Sequence, residues 1–153
     1  MGRLLKYAIK SSLMEISISV GEEKYNFNLF HELKIKESGI SDELKNQPSS
    51  YGFLTMLHKQ LLKNLSDLKI EEKKAYANAY IKYKHEINKE TSRPNSDDLA
   101  KQKAELDIKY IKKQQQITSL QFDVNRVEAC VRAFEQRASL LQTISANSRK
   151  EIR

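Results

Sequence analysis

The sequence predicts a mainly α-helical protein that carries a small N-terminal β-hairpin and assembles into a homo-oligomer. Three observations support this expectation. The 153 residues include only 4 Gly and 2 Pro, whereas turn-rich all-β folds need many more. Residues 98–148 lack both and carry apolar side chains every three or four positions, as long amphipathic helices do. Residues 13–29 instead alternate apolar and polar side chains around Gly21, which is typical of a hairpin.

The predicted hairpin pairs residues 13–20 with residues 24–29. Its apolar side chains occupy every second position and therefore share one face of the sheet: Met14, Ile16, Ile18, Val20, Tyr25, Phe27 and Leu29. Two strands alone are only marginally stable in water, so this face is expected to pack against a helix or a neighbouring subunit.

The next segment predicts a short helix and then a long one. Ser41 is an N-cap candidate, and Pro48 is expected to end the short helix. The long helix is expected from about residue 51 to about residue 88, because it carries an apolar stripe formed by Leu54, Leu57, Leu61, Leu65, Leu68, Tyr76, Tyr80, Tyr83 and Ile87. Residues 1–48 are thus predicted to hold the β-hairpin and a short helix, and residues 49–153 a helical hairpin.

A loop at residues 89–97 is expected to separate the long helix from a second one over about residues 98–148. Ser96 is the expected N-cap, and Asp97 and Asp98 suit the positive end of a helix. The second helix carries a heptad seam, and its side chains predicted to mediate oligomerisation are Leu120, Val124, Val127, Val131, Phe134 and Leu141.

A second apolar stripe lies on an adjacent face of the same helix and comprises Ile108, Ile111, Phe122, Ala129, Ala133, Leu140 and Ile144. One stripe can pack on the first helix in an antiparallel coiled-coil-like pair. The other stripe then needs a further partner, which is most simply another copy of the chain. The pattern predicts a homo-oligomer and leaves a dimer and a ring both open.

The formal charge of +7 indicates an anionic partner, either nucleic acid or an anionic membrane surface. No run of about 18 apolar residues is present to span a bilayer. Residues 1–10 lack the sustained apolar run and the cleavage site of a signal peptide. A single cysteine excludes an internal disulfide framework and suits a reducing compartment. We expect a soluble cytoplasmic protein.

Enzymatic signatures are absent from the sequence. It contains none of the glycine-rich phosphate loops, nucleophile elbows or paired-histidine motifs of nucleotide-binding proteins, hydrolases and metalloproteases. His31, His58 and His85 lie far apart, without the short spacing of paired metal ligands. Cys130 lies beside the seam and is interpreted as a buried core residue. We expect no enzymatic activity, no metal and no cofactor.

Basic side chains crowd the end of the first helix, the loop and the start of the second helix. The predicted DNA-binding residues are Lys73, Lys74, Lys82, Lys84, Lys89, Arg93 and Lys101. If the helices pair antiparallel, a further group lies beside them, namely Lys103, Lys109, Lys112 and Lys113. Such clusters neutralise the phosphates of single-stranded nucleic acid, although any one lysine could simply be solvated.

Tyr76, Tyr80 and Tyr83 are interleaved with these lysines and allow two interpretations. The rings could stack on bases in a single-stranded nucleic-acid groove. Alternatively, they continue the leucine stripe, because they fall within about 60° of one another on a helix, and pack in the core or an interface. The helical geometry favours packing, and both interpretations remain open at this point.

Four segments carry a resemblance to a known family: residues 43–51 (ELKNQPSSY), the Lys73-Lys74 pair, residues 106–110 (LDIKY) and residues 133–141 (AFEQRASLL). Over about residues 43–145 the chain resembles the UvsY-type recombination mediators of bacteriophages. The resemblance implies a ring-forming oligomer that binds single-stranded DNA and helps a RecA-like recombinase displace single-strand-binding protein. The chain departs from the family at Asn78 and Tyr80, where a family member has basic side chains.

Residues and resemblance together predict a phage recombination mediator that binds single-stranded DNA non-specifically. The alternative is a structural or scaffolding coiled-coil protein of a phage without DNA-binding activity, which would assemble normally and ignore single-stranded DNA at low salt. Binding to a membrane surface through a basic amphipathic helix is a weaker third interpretation, because a long heptad seam requires partner helices.

Overall fold

The hairpin and the helices follow one another in the predicted order. The computed structural model describes residues 15–35 and 39–151. Its elements are β1 (Glu15–Val20), β2 (Glu23–Asn28), α1 (Leu29–Leu33), α2 (Ile40–His85), α3 (Asp97–Glu105) and α4 (Ile108–Glu151). The expected mainly helical fold with a small β-hairpin and long helices is confirmed. Residues 1–14, which include Met14 of the predicted hairpin, lie outside the described residues.

The chain divides into two compact units, and α2 and α4 each contribute to both. The terminal unit contains the residues up to 61 and from 123 onwards, and the middle unit contains residues 62–122. The hairpin belongs to the terminal unit. The middle unit holds α3 and the loop that precedes it.

The two strands pair antiparallel along their whole length, with Ile18 opposite Tyr25. Gly21 lies in the two-residue turn between them with a φ of +63°, a left-handed conformation that glycine adopts without steric strain. The alternation in the sequence therefore predicted both the strands and the position of the turn.

The apolar face of the hairpin packs within its own chain. Ile16 and Ile18 of β1 are 4% and 1% exposed. The Arg126 guanidinium of α4 donates a hydrogen bond of 2.8 Å to the backbone carbonyl of Glu15. Two partners were expected for this face, a helix or a neighbouring subunit. Ile16 and Ile18 are buried within the chain itself, which supports the first.

The prediction that Pro48 ends a short helix is wrong, because α2 runs without interruption from Ile40 to His85. Proline in a helix interior removes one backbone hydrogen bond and crowds the preceding turn, at a cost of about 3 kcal/mol. A tertiary contact holds the chain helical next to it. Gln47, 6% exposed, donates its side-chain amide to the backbone carbonyl of Phe134 in α4 at 2.7 Å.

A buried arginine fixes the start of α2 within the terminal unit. Arg137 of α4 is 8% exposed and forms an ion pair with Glu43. Its guanidinium also donates to the side-chain oxygen of Gln47 and to the backbone carbonyls of Leu33 and Lys34. One side chain therefore joins α2, α4 and the segment that follows α1.

The heptad seam of α4 is buried in the core of the terminal unit. Four of the six side chains predicted to mediate oligomerisation are at most 3% exposed, namely Val124, Val127, Phe134 and Leu141. Leu54, Leu57 and Leu61 of α2 are also buried in this unit and supply an equally apolar stripe. These four seam residues are thus covered by their own chain. Leu120 and Val131 are half-buried, and contact of the seam with other copies stays a prediction.

The second predicted helix is broken at Leu106 and Asp107, because α3 ends at Glu105 and α4 begins at Ile108. Asp107 acts as the N-cap of α4. Its carboxylate accepts a hydrogen bond of 2.8 Å from the backbone N–H of Lys109, and its carbonyl accepts one of 2.9 Å from Ile111. The apolar periodicity continues across the break and therefore concealed it.

The loop before α3 is ordered by hydrogen bonds of its own backbone and of one buried asparagine. Ile87 and Pro94 form an isolated antiparallel bridge. Asn95, 2% exposed, donates its side-chain amide to the carbonyl of Tyr83 at 2.8 Å. The predicted N-cap Ser96 is confirmed, since its hydroxyl accepts from the backbone N–H of Leu99 at 3.3 Å.

Candidate nucleic-acid interface

A groove rich in lysine lies between α2 and α4 in the middle unit. Its volume is about 520 Å³. Five lysines line it together with two carboxylates, two alanines and two amide side chains: Lys74, Lys82, Lys109, Lys112, Lys113, Glu71, Asp107, Ala75, Ala79, Asn78 and Gln116. The lysines exceed the carboxylates by three charges, so the groove attracts anions. We refer to it as the lysine groove.

Glu71 is one of the two carboxylates of the lysine groove, and it is already paired. Its Oε2 lies 2.7 Å from the Nζ of Lys113. The hydrogen bond from Lys113 is the main reason that the pKa of Glu71 is lowered from its ordinary value, and the charge of Lys113 adds to it. Glu71 therefore stays ionised at neutral pH, and its ion pair neutralises one of the five lysines, Lys113.

Asp107 is the other carboxylate, and its oxygens are also engaged. Besides capping α4, it accepts a hydrogen bond of 3.2 Å from the Tyr83 hydroxyl and lies 4.0 Å from the Nζ of Lys82. The pKa of Asp107 is lowered, chiefly by the backbone N–H of Lys109. Its negative charge thus stabilises the N-terminus of α4.

Three lysines of the groove are available to an anion. Lys74, Lys109 and Lys112 are exposed, and none of them forms an ion pair with a residue in the described part of the chain. An ammonium group on a flexible stem contacts phosphate as a point charge and needs no fixed register. These three side chains are the strongest candidates for phosphate contacts.

The predicted DNA-binding residues divide into three groups in the structure. Lys74 and Lys82 line the lysine groove. Lys73, Lys89, Arg93 and Lys101 are exposed elsewhere on the middle unit. Lys84 forms an ion pair with Asp97, and the hydrogen bond to that carboxylate raises the pKa of Lys84. Phosphate contacts by these residues stay a prediction.

Lys109, Lys112 and Lys113 are the residues that the predicted DNA-binding set omits. The sequence nevertheless contained a signal for them, because an antiparallel helix pair was expected to place this group beside Lys74 and Lys82. The structure does bring these lysines into one groove. Lys103 of the same group lies elsewhere and pairs with Glu86 at 2.7 Å.

The three interleaved tyrosines are engaged within the middle unit. The Tyr76 ring lies 5.3 Å from the ring of Tyr110, measured between centroids. The Tyr80 hydroxyl donates to Asp97 at 3.3 Å, and the Tyr83 hydroxyl donates to Asp107. All three are half-buried. Their contacts favour the packing interpretation over base stacking.

Three other features of the described part of the chain bear on function: its metal-ligating side chains, the hydropathy of its helices and its cysteine thiol. Among residues 15–35 and 39–151, no three His, Cys, Asp or Glu side chains gather to hold a metal ion. Within the same ranges, no helix carries an apolar stretch sufficient to cross a bilayer. The Cys130 thiol is buried as expected, and this burial raises its pKa to about 11, so it is protonated at neutral pH.

Comparison with known proteins identifies one solved structure with a similar fold. No protein-family model matches the sequence, and no curated protein matches it significantly. The fold is similar to a crystal structure of the bacteriophage T4 recombination mediator protein UvsY, with a TM-score of 0.64 and 15% sequence identity. The match covers 82% of this chain and 93% of that chain. The chain therefore has a UvsY-like fold.

Proposed function

We propose that this protein is a phage recombination mediator without enzymatic activity. It binds single-stranded DNA non-specifically as a homo-oligomer in the host cytoplasm. There it helps a RecA-like recombinase assemble in place of single-strand-binding protein. The lysine groove is the observation that carries the proposal, since it supplies an anion-binding surface on a fold shared with a protein named as a recombination mediator.

Electrostatics supports a strand-binding role for the groove. Neutralising phosphates releases condensed counterions, so binding by lysines is sequence-independent and weakens as salt rises. A mediator must act on any sequence, which suits this mode of binding. With three available lysines per copy, each groove binds weakly, and an oligomer raises the affinity through effective concentration.

The exposed stripe of α4 supports assembly from several copies. Leu140 and Phe122 are 52% and 56% exposed. Exposed apolar side chains in a row on one helix face are typical of an interface. The stripe is the second one predicted from the sequence, and it is less buried than the heptad seam. Its members Ile108, Phe122, Ala129 and Leu140 are exposed, and Ile111, Ala133 and Ile144 are half-buried. An assembly built through this stripe would contain one lysine groove per copy.

The proposal is tested by removing the available lysines together. The triple variant Lys74→Ala, Lys109→Ala and Lys112→Ala should weaken binding of a fluorescent oligo-dT at least about tenfold, because each lysine contributes a charged hydrogen bond. A matched variant loses the exposed α2 lysines outside the groove, Lys59, Lys63 and Lys69. It should bind nearly as well as the wild type. Light scattering should give the same mass for all three proteins.

The mediator role itself is tested on strands coated with single-strand-binding protein. The wild type should shorten the lag in recombinase filament assembly, and the groove variant should not. Normal assembly of a protein that ignores oligo-dT at low salt would instead support the scaffolding alternative. Undiminished binding by the groove variant would show that the strand lies on another surface.

A further inference from the structure

We propose that the lysine groove recognises the phosphodiester backbone alone, so its ligand is a linear chain of phosphates whether or not that chain carries bases. This inference rests on the proposed function and specifies the chemistry of the ligand. Proteins that bind single strands commonly combine a basic groove with aromatic rings on which bases stack. In this groove the described residues supply the first component and not the second.

The lining of the groove contains no aromatic side chain among the described residues. It consists of lysines, two carboxylates, two alanines, an asparagine and a glutamine. Ala75 and Ala79 of α2 are the lining side chains without a polar group. A methyl group offers a base no π-face. A strand in the groove would therefore gain charge neutralisation and no stacking.

The nearest tyrosines are held by other partners. Tyr76 is paired with the Tyr110 ring, and the Tyr83 hydroxyl is bound to Asp107. Two cations also lie close to the Tyr83 ring, with Lys82 Nζ 4.5 Å and Lys103 Nζ 5.9 Å from its centroid. A base that stacks on this ring would compete with the ammonium groups that the π-face attracts.

The two amide side chains of the groove are the remaining groups that could address bases. Asn78 and Gln116 can donate and accept hydrogen bonds, and they suit phosphate and sugar oxygens as well as base edges. The three available lysines bind only the anionic part of a nucleotide. The chemistry of the groove thus favours the backbone, and the amides provide a direct check.

The test compares two strands with equal charge and unequal bases. One is oligo-dT, and the other is an abasic strand of the same length with tetrahydrofuran in place of every nucleoside sugar and base. One stacked base would make oligo-dT bind about 5- to 150-fold more tightly. We expect dissociation constants within about twofold of each other for the full-length wild-type protein. Binding of the abasic strand more than about fivefold weaker would overturn the inference.

The failure of this inference is distinguishable from failure of the proposed function. If neither strand binds at low salt, DNA binding itself is absent and both fall. If oligo-dT binds tightly and the abasic strand does not, the groove uses bases and only this inference falls. The double variant Asn78→Ala and Gln116→Ala should leave the ratio of the two dissociation constants unchanged. A ratio altered in that variant would show that the amides read bases.

Linear polyphosphate provides a probe without sugar or base. At equal phosphate concentration it should displace labelled oligo-dT from the wild type. The variant Lys109→Ala and Lys112→Ala should weaken both strands by the same factor and reduce the slope of log K against log salt by about 1.4. The matched variant Lys59→Ala and Lys63→Ala should leave that slope unchanged. A groove variant that loses oligo-dT and retains the abasic strand would contradict the inference.

Discussion

At the scale of single residues, charged side chains have different roles in the two units: they are exposed to a ligand in the middle unit and form a buried ion pair in the terminal unit. Lys74, Lys109 and Lys112 are exposed and unpaired within the described residues, so they are available to a ligand. Arg137 and Glu43 are instead withdrawn from water, with side chains 7% and 19% exposed. Removing one partner of a buried ion pair leaves the other charge desolvated and unpaired, which costs far more than breaking an exposed pair.

Replacing Arg137 by alanine is therefore expected to lower the free energy of unfolding by about 3 to 5 kcal/mol. The change leaves Glu43 without its partner and removes the hydrogen bonds to Gln47, Leu33 and Lys34. Urea denaturation at a fixed protein concentration measures the effect.

Arg132→Ala is the matched control for that measurement. Arg132 pairs with Glu128 on the surface, with its side chain 70% exposed, and its loss should cost about 0.5 kcal/mol or less. The double variant Glu43→Ala and Arg137→Ala should be less destabilised than the sum of the single changes, because no unpaired carboxylate remains. Equal effects for Arg137→Ala and Arg132→Ala would contradict the structural role of the buried pair.

At the scale of elements, the sequence predicted those features that depend on neighbouring residues alone. Alternation predicted the hairpin, and the side chain of Ser96 predicted the start of α3. The sequence did not predict that α2 continues through Pro48 or that the second helix breaks at Asp107, and the reason differs. Around Pro48, contacts with α4 outweigh the local penalty, and at Asp107 the apolar stripe runs on across the capped start of α4. The lysine groove likewise could be predicted as a cluster, but only the fold selects which lysines share it.

The cap at Asp107 has a pH dependence with a definite sign. Its folded-state pKa lies below the ordinary value of 3.8. The ionised carboxylate therefore stabilises the folded state in full above pH 3.8, and this stabilisation is lost as the pH falls through the lowered folded value. Asp107→Asn keeps a capping oxygen and removes the charge, so it isolates this contribution.

We expect the difference in free energy of unfolding between wild type and Asp107→Asn to be constant from neutral pH down to about pH 4 and to shrink below it. Asp107→Ala removes the capping oxygen as well and should cost about 1 kcal/mol at neutral pH. Chemical denaturation of the three proteins at several pH values measures both effects. A difference that grows as the pH falls would show that ionisation of Asp107 destabilises the fold.

At the scale of the whole molecule, burial separates two apolar stripes that the sequence could not rank. A helical repeat reports that a face must be covered, but the choice between its own chain and a second copy depends on tertiary packing. The heptad seam is largely covered by its own chain. The second stripe is covered less completely, with Leu140 52% exposed, so we expect it to contact other copies, while contact through the seam stays a prediction.

Leu140→Glu is accordingly expected to dissociate the oligomer, because assembly would bury a carboxylate in an apolar interface without a partner. Light scattering at several concentrations should show a lower mass than for the wild type, while circular dichroism shows unchanged helix content. Met56→Glu is the matched control, since Met56 of α2 is 67% exposed and outside the stripe. Loss of assembly in Met56→Glu alone would place the interface on α2. A wild type that is monomeric throughout would refute assembly itself, and the avidity that the weak lysine grooves require would then have no source.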